Sequence, residues 1–271
     1  MVLSNTRLPA TLRESVKVEL GVAFHTPYEI PIVVAINGAL MSVLWFFLPA
    51  QWKNSLFALH GTLAFAMVLA GWMIADVPAT NVLGPDAERM GHALDHPAAF
   101  RRLLYAKNIA LWVLVAPVCS LVALGIGVNH HDLTATVISI VAIVILPFGA
   151  LGLSAWVGIR FPYHPIPLSE RWARRRPWRH MMVRWFVLAV TPYVLVPTLI
   201  AVLLLPSLAF WAAFAANGLH SRLSAGVYAI GILIACILAI AGSLGGHRMG
   251  ERLARRRKAE LSEYLSDPAR G

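Results

Sequence analysis

The sequence predicts an all-α integral membrane protein of six transmembrane helices, with both termini cytoplasmic and no soluble catalytic domain. Three observations carry that expectation. Charge is scarce, the apolar residues fall into runs of spanning length, and the cations alternate between the two sides of those runs. Only 13% of the 271 residues are charged and 58% are hydrophobic, whereas soluble domains carry about 25% charged residues. Long charge-free stretches do not suit a water-facing surface.

A spanning helix needs about 20 apolar residues. Residues 31–49, 55–75, 104–127, 134–158, 183–205 and 225–246 qualify, and none has Asp, Glu, Lys or Arg at its middle. Lys107 and Arg184 lie within a turn of a span end, where they can snorkel. Of the 23 Lys and Arg, 21 lie in 1–30, 76–107, 159–184 and 247–271, and the other side holds only Lys53 and Arg222. Cytoplasmic loops retain cations, so the four basic segments are placed inside. The net charge of +10 then signals orientation, and nucleic acid is not expected as a partner. A multi-pass membrane protein follows, with membrane lipids around it.

The pieces outside the spans are legible in turn. Residues 9–26 read as an interfacial helix, because Leu12, Val16, Leu20 and Phe24 recur at i+4 and form one apolar stripe. Arg13, Glu14, Lys17 and Glu19 lie off that stripe. Pro27 and Pro31 bend the chain into the first span. Residues 76–86 are rich in helix breakers, and 86–96 (DAERMGHALDH) read as a short helix that Pro97 ends. It offers a contact surface to a cytoplasmic partner. Asn129 to Asp132 form a polar turn. Pro162, Pro165 and Pro167 close the fourth span, and Pro192 and Pro197 predict a kink in the fifth. The apolar stretch 206–217 is too short to cross and reads as a re-entrant or interfacial element, with a hydrophobic loop cap as the plain alternative. The Arg- and Trp-rich run 169–180 reads as an anchor to anionic headgroups, and the basic tail 247–271 as a lipid-facing or solvated helix leaving the membrane.

Chemistry is conspicuous by its gaps. The chain has no GxxxxGK[ST], HExxH, CxxC or GxSxG pattern, so it is not expected to be an enzyme in its own right. His92 and His96 share a helix face, but no third ligand joins them, and no metal site is expected. His60 is the one histidine inside a span, too few for an electron-transfer haem. Cys119 and Cys236 sit in apolar runs as small buried hydrophobes. The near absence of charge at membrane depth argues against an ion pump, an ion-coupled transporter or a cation channel. What remains is a protein that moves or contains something apolar or large, with energy from elsewhere. A lipid-modifying enzyme is an alternative, with Asp76, Asp86 and Asp95 its only loop acids. A structural or assembly subunit of a membrane complex, cytochrome-like subunits included, is another.

Three stretches resemble a known family. Thr80-Asn81-Val82-Leu83-Gly84-Pro85-Asp86 is similar to the N-x-[FL]-G-x-D entry in permease subunits of ABC-2 type ATP-binding-cassette exporters, actinobacterial members in particular. Phe100 to Asn108 follows, with Arg101, Leu103, Leu104, Lys107 and Asn108 where the family often reads r-x-l-L-x-x-K-n. Gly149 to Ser154 and Arg160-Phe161-Pro162-Tyr163 resemble the end of its fourth span. The chain departs at Pro85 and at Phe24-His25-Thr26-Pro27. The resemblance implies a bacterial plasma membrane, an elbow helix, a coupling helix between spans two and three, a second permease subunit, identical or homologous, and separate ABC ATPase subunits. ATP and magnesium would bind the ATPases, and this chain would hold no cofactor. It places ATPase coupling on Asn81, Asp86, Glu88, Arg89, His92 and Asp95, with Arg13, Lys17 and Glu19 of the elbow. A solvated helix face is the plain alternative. An apolar or amphipathic substrate (a lipid, lipid-linked molecule or drug) would pass spans one, two and five. Asn37, His60, Trp72 and Tyr193 are the candidate lining groups, and each also reads as a packing residue with a satisfied polar tip.

Overall fold

The computed structural model describes residues 8–25, 29–51, 61–75, 77–129, 131–162, 164, 179–216 and 225–267. Every regular element among them is helical: α1 Leu12–Ala23, α2 Glu29–Phe47, α3 Gly61–Ile74, α4 Val77–Thr80, a 3-10 turn Gly84–Asp86, α5 Ala87–Ala93, α6 Pro97–Asn129, α7 Leu133–Arg160, α8 Arg179–Ala216, α9 Ala225–Arg256 and α10 Lys258–Ser266. Five stretches are long and apolar enough to cross a membrane: Ile30–Phe47, Pro97–Asn129, Leu133–Arg160, Val190–Phe214 and Ala225–Arg256. The protein is thus a multi-pass membrane protein. The second expected span, 55–75, lies partly outside the described residues; its described helix, α3, has 14 residues.

Local chemistry sets the helix ends. Thr11 and Glu14 form a reciprocal capping box at the start of α1, which satisfies two donors the first turn leaves open. Asp132 accepts from the Ala135 N–H at 2.9 Å and caps α7. His131, at φ 54°, turns the chain between α6 and α7, a left-handed conformation uncommon outside glycine.

Two boundaries differ from the sequence expectation. Pro97 starts α6 instead of merely closing the preceding helix. Proline suits a first helical position, where its missing N–H costs nothing. Residues 206–216 form no separate element either: α8 runs from Arg179 to Ala216 and carries Pro192, Pro197 and Pro206 without ending.

The tightest packing joins α7 to α9. A Cβ on Gly149 would lie 2.6 Å from the Ala239 backbone, one on Gly152 2.5 Å from Ser243 Cα, and one on Gly246 2.2 Å from the Gly152 carbonyl. Small residues on both helices let the backbones touch, the usual means of helix association in lipid. A central core gathers Leu69, Met73 and Ile74 of α3, Leu111 and Val115 of α6, Ile143 and Leu151 of α7, and Val196 of α8.

A separate core closes one end of the bundle. It holds Val82, Leu83, Met90 and Leu94, the start of α6 (Phe100, Leu103, Leu104), Ile159 at the end of α7, Ala254 of α9, and Leu261 and Leu265 of α10. Helix length makes this end possible. At 1.5 Å per residue, α6 with its 33 residues is about 50 Å long, against a hydrocarbon thickness of about 30 Å. Its first turns, with Arg101, Arg102 and Lys107, stand clear of the apolar length.

Candidate coupling site at the polar end of the bundle

Four charged residues close a ring beneath α1. Arg89 of α5 donates to Glu19 of α1 and to Asp86 of the 3-10 turn. Lys107 of α6 donates to Glu19 at 3.1 Å and lies 4.0 Å from Asp86. The charges alternate and sum to zero. Arg89 and Glu19 are buried, at 5% and 7% exposure. Buried charges are tolerated only when paired and hydrogen-bonded; here Arg89 has two acceptors, and Lys107 has Glu19 as its acceptor with Asp86 at ion-pair distance. Burial pushes the Asp86 carboxyl above its ordinary value, against the opposing pull of Lys107 and Arg89.

The sequence favours this closure locally. Ser15, Glu19 and Ala23 form the buried face of α1, and small Ser15 and Ala23 bring the helix close to α6. The apolar stripe flanks that face: Leu12 and Phe24 at its ends are exposed, and Val16 and Leu20 between them are half-buried. Arg102 donates to the Pro9 carbonyl at 2.7 Å and holds the segment before α1 on α6. Asn81 is buried and accepts from the Gly84 N–H at 3.2 Å, which tightens the 81–84 turn. That turn lies against α7, where a Cβ on Gly158 would come 2.2 Å from the Thr80 carbonyl. Ser154 of α7 donates to the Ala79 carbonyl at 2.9 Å.

The nine residues expected to meet a partner therefore divide. Asn81, Arg89 and Glu19 are buried and Asp86 is partly covered, so these four hold the polar end together. Glu88, His92, Asp95, Arg13 and Lys17 are exposed. Asp95 pairs with Lys258 at 2.6 Å, and that ammonium holds the Asp95 carboxyl below its ordinary value.

Helix α10 is the unexpected part of this site. Leu261 and Leu265 bury into the same core as Met90 and Leu94. Arg257, at the bend between α9 and α10, donates to the Ile159 and Arg160 carbonyls at 2.9 and 2.8 Å, and so satisfies acceptors that the end of α7 leaves open. The His164 ring stacks on Tyr264 at 4.9 Å. The tail is thus docked at its α10 portion; the Arg-rich run 169–180 lies almost wholly outside the described residues.

A second buried polar group escaped the sequence reading. His247 is fully buried between α6 and α9 and stacks on Tyr105 with ring centroids 3.8 Å apart. Its Nδ1 lies 2.6 Å from the Ser243 carbonyl, which can only accept, so Nδ1 carries a proton. Its Nε2 then accepts from the Asn108 carboxamide at 3.0 Å, and the ring is satisfied as a neutral imidazole. The only sequence signal was a histidine just past the end of an apolar run.

Deeper in the bundle, three of the four expected lining residues come together. Tyr193 of α8 donates to Asn37 Oδ1 of α2 at 3.1 Å, and its ring lies 5.7 Å from that of Trp72 of α3. His60 lies outside the described residues. Cys119 and Cys236 are free and buried. Compared with protein-family models, curated proteins and solved structures, the chain matches none of them.

Proposed function

We propose that this chain is the membrane-embedded subunit of an ATP-driven exporter of the ABC-2 type, in which a separate ATPase displaces the polar end and α6 carries that displacement into the bundle. One observation carries the reading: the ring of Glu19, Arg89, Asp86 and Lys107 ties α1, the 3-10 turn and α5 to a single long helix. A peripheral helix that is to transmit a push must be fastened to something that crosses the membrane, and interfaces of this kind shift as rigid bodies between discrete packings. The exposed residues Glu88 and His92 of α5, with Arg13 and Lys17 of α1, are the groups left to face an ATPase.

The six-span layout has support of its own. Helices α1 and α10 both pack at the end where α6 begins and α7 and α9 finish. Chain ends that share one end of a bundle require an even number of crossings, which favours completing α3 into a sixth span. The exposed stripe of Leu12 and Phe24 suits an elbow helix lying in the interface, and the basic excess at this end favours a cytoplasmic position.

The direct test is co-purification of the full chain with a Walker-motif ATPase encoded beside it. Stable association, and ATPase activity that rises on assembly, is the expected result. An ATPase that neither binds nor responds would overturn the reading.

A further inference from the structure

We infer that Asn37, Trp72 and Tyr193 form a binding site for an uncharged hydrogen-bond acceptor, such as an ester or amide carbonyl, carried by an amphiphile between α2, α3 and α8. This rests on the proposed exporter reading and names the chemistry of what its path would hold.

Two donors at this point have no partner among the described residues. They are the Asn37 Nδ2 amide and the Trp72 Nε1 indole N–H, and both atoms are buried. Asn37 itself is 3% exposed. Buried polar groups are hydrogen-bonded in the great majority of cases, and the few that are not call for a specific explanation. Tyr193 links the two. Its hydroxyl proton is committed to Asn37 Oδ1, and its ring contacts Trp72. The carboxamide is thereby held with its N–H groups directed away from Tyr193.

Both groups call for an acceptor. An indole N–H can only donate, so its partner must carry a lone pair. That partner need not be an anion. Helices α2 and α3 contain no Lys or Arg, and the nearest cation before Tyr193 on α8 is Arg184, nine residues or about 13 Å along the axis. A bare charge would lie unpaired in apolar surroundings, whereas a carbonyl oxygen, with its two lone pairs, can accept from such donors at little desolvation cost. The neighbourhood suits the rest of such a molecule: Val34, Met73 and Val196 are buried here, with Met41, Phe65 and Ile200 packed against them. Methionine adapts readily to irregular apolar partners.

The test uses the full chain in nanodiscs of dialkyl ether phospholipid, which removes ester carbonyls from the bilayer. Three long-chain diazirine probes are compared by photolabelling and peptide mass spectrometry: a fatty-acid methyl ester, the matched alkane and the free fatty acid at pH 8. The ester is expected to label α2, α3 and α8 peptides around Asn37 and Trp72 roughly tenfold more than the alkane, and more than the ionised acid. Trp72→Phe, which removes only the donor and one ring, is expected to erase most of that preference. Equal labelling by ester and alkane in the unaltered chain, or preference for the carboxylate, would overturn the inference without any variant. Adding ester phospholipid to the discs identifies the source: competition assigns the site to a bilayer lipid, and persistence of labelling assigns it to a separate amphiphile. No ATPase is present, so failure here leaves the exporter reading to its own assembly test. Failure to assemble with an ATPase would equally leave this binding result in place.

Discussion

The Arg89 guanidinium donates to Glu19, a residue 70 positions earlier in the chain, and both side chains are buried. This one contact fixes how α1 lies on the bundle. It also removes Arg89 and Glu19 from the surface that a partner could touch. Arg89→Met is expected to leave Glu19 and Asp86 short of a cation and to cost about 3–5 kcal/mol of stability. Glu19→Gln combined with Arg89→Met is expected to cost clearly less than the sum of the two single changes. Unfolding of the purified chain in mixed micelles measures both, and additivity would show that the ring does not act as a unit.

The α7–α9 seam makes a sharper prediction, because two adjacent glycines differ. A Cβ on Gly246 would meet backbone at 2.2 Å, whereas nothing lies within 4 Å of one on Gly245. Gly246→Ala is expected to push the helices apart at a cost on the order of 1–3 kcal/mol. Gly245→Ala is expected to be neutral, or to gain up to about 1 kcal/mol from helix propensity. The same unfolding measurement on the pair decides it.

Five of the spans were legible because their signal is compositional: apolar runs of spanning length need no knowledge of contacts. The grouping of Asn37, Trp72 and Tyr193 was also legible, since rare polar or amphipathic groups in apolar helices tend to find each other. The inward face of α1 was not. Glu19 reads as solvated until its partners are known, and those partners lie 70 and 88 positions away. Docking of α10 was hidden for the same reason: Leu261 and Leu265 form a short stripe on an otherwise charged tail. The packing cause of Gly149 and Gly152 was hidden too, although the residues themselves stood out as a pattern.

Acid is expected to act differently on the two ion-pair groups. Asp95 and Glu260 are held below their ordinary values by Lys258 and Arg257. Their contribution is present above the unfolded carboxylate value and is lost as pH falls through the lowered ones. Asp86 is raised, so its contribution has the opposite sign: it is full below the unfolded value and is lost as pH rises through the raised one. Acidification towards pH 3 is therefore expected to weaken the Asp95–Lys258 link between α5 and α10. Spin labels at Glu88 and Ser262 would report a broadened separation in acid, and an unchanged distribution would refute it.

Surface charge on α5 is expected to matter only with a partner. Glu88→Lys and His92→Glu change exposed groups, so stability is expected to stay within about 0.5 kcal/mol. Stimulation of the associated ATPase is expected to fall roughly tenfold, equivalent to about 1.4 kcal/mol of coupling. Undiminished stimulation would mean that α5 is not the contact.

The central claim is that α1, α5 and the start of α6 move as one body when the ATPase binds nucleotide. Pulsed electron-resonance distances in the assembled complex test this directly, with one label pair at Gly21 and Gly91, where nothing lies within 4 Å of an added Cβ, and a second at Gly91 and Val194 of α8. On adding ATP and magnesium, the first distance is expected to hold within about 2 Å while the second shifts, as a rigid-body transition requires. A first distance that changes with nucleotide, or a second that never does, would contradict the account.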